Sequence, residues 1–91
     1  STLPPVLVQS FINRLVAVDR SLASIAIDEA AVTPGANPKE IADAKERFKQ
    51  GDAETVAGHP DKAIDRYKYA WRHALQALGK PCGDFDKDDK N

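Results

Sequence analysis

Asp84, Asp86 and Asp88 stand at alternate positions near the end of a 91-residue chain. Carboxylate oxygens at the first, third and fifth positions begin a calcium loop of the EF-hand kind. The remainder departs from that pattern. Asp89 falls where the sharp turn requires glycine, and the sequence stops before the bidentate acid at position twelve. These aspartates are the candidate calcium ligands; a solvated acidic tail is the plainer reading, and a site completed by a neighbouring copy is a third. His59 and His73 are the only histidines. Placed on one helix they are separated by roughly 21 Å, too far to share a metal. Cys82 is the only cysteine, which excludes an internal disulfide and paired-cysteine zinc sites. It reads as a free thiol, with a link to another chain as the alternative. The chain has no nucleophile elbow, glycine-rich phosphate loop or paired-histidine motif. Acid pairs such as Asp61 and Asp65 fall on charged helix faces, where they serve solubility and local pairing. A non-enzymatic role with no cofactor besides calcium is the expectation.

Composition narrows the classes further. Hydrophobic residues are 42% and charged residues 30%, the balance of a single small globular domain. A net charge of -1 provides no overall basic field for nucleic acid. The most apolar region is interrupted by Arg14, Asp19 and Arg20, so no membrane span is expected. The sequence has no methionine and opens Ser1-Thr2-Leu3-Pro4-Pro5, small residues of the kind left after signal-peptide cleavage. An extracytoplasmic, secreted protein is the corresponding expectation.

Three helices must position whatever this chain presents. From about residue 5 to 33, Leu7, Phe11, Leu15, Val18, Leu22, Ile25 and Val32 recur at helical spacing. Val8, Ile12, Val16, Ala23 and Ile27 lie beside that stripe and widen it. Pro5 suits the first turn, and Pro34-Gly35 ends the segment. A second helix opens with Asn37 as cap, Pro38 at the first helical position and Glu40 placed to complete a capping box. Ile41, Ala44, Phe48 and Ala53 or Val56 form its apolar stripe, and Gly58 stops it. The third runs from about Asp61 to Leu78, with Ile64, Tyr67, Trp71, Ala74 or Leu75, and Leu78 on one face. No segment alternates with period two, so no strand is expected.

Gly51, Ala63, Tyr67 and Ala70 stand at the glycine, alanine, aromatic and alanine positions of a tetratricopeptide repeat. Residues 44–77 therefore resemble one such helix–turn–helix unit. The resemblance implies a close-packed antiparallel hairpin whose small residues let the helices approach. It departs from the family at Arg47, Glu54 and Leu75, and a single unit provides no superhelical peptide groove. Residues 37–80 are also similar to helical modules at the C-termini of large secreted bacterial proteins, through Asn-Pro-Lys-Glu-Ile and Tyr-Lys-Tyr-Ala-Trp.

The predicted architecture is an all-α three-helix bundle over residues 1–80, a long N-terminal helix packed on an antiparallel hairpin, with an acidic tail over 81–91. At about 1.5 Å per residue the first helix spans roughly 40 Å, against about 30 Å for the others. Two shorter helices are expected to leave part of its apolar face bare. Val6, Val8, Ile12 and Val16 are the expected uncovered patch, and Tyr69 beside Arg72 is a further interface anchor. The expected function is structural: homo-oligomeric assembly, or docking to a larger secreted protein. The alternative is a calcium-dependent binding module of a secreted protein with its ligands in the tail.

Overall fold

The computed structural model describes residues 5–79. The chain is all-α: α1 spans Pro5–Val32, α2 Pro38–Val56 and α3 Pro60–Ala77. Proline is the first residue of each, where a missing N–H costs no hydrogen bond. The Asn37 side chain accepts from the N–H groups of Lys39 at 2.9 Å and Glu40 at 3.4 Å. At the far end of α2, Gly58 has φ of 83°, a left-handed conformation that glycine adopts without strain. The turn closes with the His59 N–H donating to the Glu54 carbonyl at 2.9 Å.

The helix between the other two is α3. It packs closely on α2 and along α1, while α1 and α2 touch sparingly. Small residues make this possible. Ala63, Ala70 and Ala74 of α3, Ala44 of α2 and Ala23 of α1 are fully buried. Gly51 faces Tyr67 so closely that a Cβ there would come within 2.6 Å of ring atom Cδ1. Of the four residues carrying the hairpin resemblance, all are buried, and Gly51 of α2 meets Tyr67 of α3 directly. Val16, Ala26 and Ile27 complete the core, with Phe48, Ile64 and Trp71 packed partly against it.

An alanine-lined core is thin, and that corrects the expected faces. On α1 the buried residues are Val16, Ala23, Ala26, Ile27 and Ala30. The broad stripe from Leu7 to Val32 points outward instead. Val16, expected on the bare patch, is only 8% exposed, and Ile12 is half-buried. Val6 and Val8 are exposed as expected. On α2 the inner stripe continues from Ala44 and Phe48 to Gly51, while Ala53 and Val56 lie outside. Glycine escaped an apolar-residue count because it contributes no side chain, yet here its lack of one makes room for the Tyr67 ring. Glu40 does not close a capping box. Its carboxylate turns to His73 of α3 at 2.7 Å.

Candidate functional site

Among the described residues, the feature left without an intramolecular role is the outer face of α1. Val8, Phe11, Leu15, Val18, Leu22, Ile25, Glu29 and Val32 succeed one another in alternating steps of three and four residues. This is the a/d spacing of a heptad repeat, the pattern by which one helix packs along another. Every apolar member is exposed: Phe11 63%, Val18 54%, Leu22 49%, Ile25 63% and Val32 79%, with Val8 and Leu15 above 40%. Leu7 extends the strip at its start. The exposed seam and the buried one lie side by side, each covering about a third of the helix circumference. Core packing therefore does not account for the outer seam.

Polar residues border it. Arg14, Ser21 and Asp28 follow one flank at seven-residue intervals, all exposed. Ile12, Asp19 and Ala26 follow the other, on the side of α3. Beside that flank a cleft of about 250 Å³ opens between α1 and α3, lined by Asp19, Leu22, Tyr67, Lys68, Trp71 and Arg72. Tyr69 is exposed nearby on α3, with the Arg72 guanidinium 5.8 Å from its ring centroid, the arrangement expected of these two residues.

A polar cluster fixes α1 against the hairpin. Arg20 donates to both Asp52 oxygens, from Nε at 2.9 Å and from Nη2 at 3.2 Å. The Tyr67 hydroxyl donates to Asp52 Oδ1 at 2.5 Å and lies 3.3 Å from Thr55 Oγ1. The Arg20 guanidinium also sits 4.7 Å from the Phe48 ring centroid. The hydrogen bond from Arg20 holds the Asp52 carboxyl below the usual carboxylate range; burial opposes it, and the weaker Tyr67 hydrogen bond adds to it. Burial and the Asp52 hydrogen bond push the Tyr67 phenol up. The cluster ties three helices together and so sets the direction in which the seam faces.

The histidines are placed separately. His59 Nδ1 pairs with Glu54 Oε1 at 2.8 Å across the α2–α3 turn, and the side chain forms no cap bond. His73 is half-buried against α2, where Glu40, Asp43 and His73 offer ligand atoms within 4.8 Å of one another. Sequence reading missed this grouping, because only the antiparallel register of α2 and α3 brings residues 33 apart together. Each member already has a protein partner: Glu40 with His73, and Asp43 with Lys39 at 3.6 Å. The grouping joins α2 to α3 through the His73–Glu40 hydrogen bond. Asp84, Asp86, Asp88 and Cys82 lie outside the described residues. No described helix is long and apolar enough to cross a membrane.

Compared with protein-family models, curated proteins and solved structures, the chain matches none. The reading of the seam rests on its own geometry.

Proposed function

We propose that the chain is a non-catalytic association module whose α1 seam packs against the same seam of a second copy. One observation carries this reading: seven large apolar side chains at heptad spacing are exposed along the whole of α1 while a separate stripe of the same helix makes the core. Contiguous apolar surface of this extent marks a protein contact. A standard-size stable interface covers about 800 Å² on each partner, and the seam runs along the whole of the 28-residue α1. Heptad spacing favours a helix carrying the same repeat as the occupant, and a second copy carries one of equal length. The role expected for Val8 is retained, Val6, Ile12 and Val16 stand off the seam, and Phe11, Leu15, Val18, Leu22 and Ile25 join Val8 on it.

Light scattering coupled to size exclusion tests the reading. Wild-type protein is expected at twice the 9.9 kDa chain mass. Leu22→Asp is expected to elute as a monomer with unchanged helicity, because Leu22 lies on the seam and not in the core. A wild-type protein that is monomeric at every concentration, whether or not it docks on a larger protein, would overturn the proposal.

A further inference from the structure

We infer that the two copies associate antiparallel, with their α1 helices crossing at residue 20. This rests on the reading of the seam as the contact between copies and adds its direction and register. The alternating steps of three and four read the same from either end. Reversal about residue 20 therefore returns the seam to itself. Val8 meets Val32 of the second copy, Phe11 meets Glu29, Leu15 meets Ile25, and Val18 meets Leu22. Layers of this a-against-d kind fill a two-helix interface continuously.

Glu29, the one charged residue of the seam, decides between this and the parallel alternative. A parallel pair sets Glu29 against Glu29 of the second copy within the apolar seam, where like charges repel and desolvation is costly. The antiparallel pair sets each Glu29 beside Phe11, with its carboxylate free to reach the exposed end of the seam. The flanks agree. Arg14 and Asp28 lie on the same flank, both exposed, each one residue before a seam position. Antiparallel packing brings Arg14 of each copy opposite Asp28 of the other, two opposite-charge pairs related by symmetry. Parallel packing turns Asp28 toward Thr33 and sets Arg14 against Asp19, also an opposite-charge pair, so Glu29 within the seam decides the direction. On the inner flank the antiparallel axis brings the two Asp19 residues near each other. Lys68 and Arg72 line the same cleft and offset that repulsion.

A spin-label distance tests the direction. Ser10→Cys in a Cys82→Ser background places one label on an exposed α1 position of each copy. Antiparallel helices crossing at residue 20 separate the two labels by about 30 Å along the axis, whereas parallel helices place them within roughly 20 Å. A distance of about 30 Å or more supports the inference. A short distance in a sample of dimeric mass overturns it and leaves the seam contact standing. Monomeric mass overturns the seam contact itself. Charge exchange gives an independent check. Arg14→Asp and Asp28→Arg are each expected to weaken association about fivefold at low salt, and the double variant to restore it. Failure of the double variant to recover contradicts the pairing.

Discussion

The bond set around Asp52 shows how single residues fix the frame on which the seam is displayed. Arg20 and Tyr67 both donate to its carboxylate, so ionised Asp52 is favoured in the folded chain and its pKa lies below the unfolded value. The folded state therefore gives up the proton more readily than the unfolded one. The resulting stability is fully present above the ordinary carboxylate range, near pH 4, and is lost as pH falls through the lowered folded value. Tyr67 behaves in the opposite sense at alkaline pH. Its raised pKa means a contribution present below about pH 10 and lost as pH rises through the folded value. Urea unfolding measured across pH should show both limbs. Asp52→Asn should flatten the acid limb, and an acid limb of unchanged slope would contradict the assignment. Gly51→Ala tests the closest approach in the hairpin. Alanine gains helix propensity over glycine, but its methyl would collide with a fully buried tyrosine ring. A net loss of about 1–2 kcal/mol is expected by chemical denaturation. A more stable variant would mean that Tyr67 is free to move.

At the scale of the helix, α1 is amphipathic twice over. Its inner stripe is dominated by alanine and meets the alanines of α3; its outer stripe is built from leucine, valine, isoleucine and phenylalanine. The three helices, the proline starts of α1 and α2 and the glycine stops were legible in the sequence, because these signals are local to each element; Pro60, read as part of the turn, instead opens α3. The inward face of α1 was not. A hydrophobicity count ranks Phe11 and Ile25 above Ala23 and Ala30, so it directs the larger side chains to the core. The alanine face of α3, at Ala63, Ala70 and Ala74, leaves no depth for them, and that is a property of two helices together. Glu40 escaped for the same reason, since its partner His73 comes from another helix. Paired substitutions separate the two stripes. Val16→Asp buries an unpaired carboxylate in the core and is expected to unfold the chain, with loss of the helical circular-dichroism signal. Ile25→Asp is expected to keep that signal and remove only association. Equal loss of helicity in both would place Ile25 in the core.

For the whole molecule, three helices of unequal length share too thin a core to enclose all the apolar surface of the longest one. The proposed pairing of two copies would resolve this imbalance by burying the outer seam between them. The proposed contact uses only apolar and charged side chains of α1, and its premises include no calcium ligand. Association is accordingly expected to be the same in calcium and in chelator; a mass that depends on calcium would shift the role to Asp84, Asp86 and Asp88. The most direct measurement is sedimentation equilibrium of the unmodified chain over a wide range of concentration. The account predicts a concentration-dependent approach to twice 9.9 kDa. A mass fixed at that of one chain throughout would contradict it.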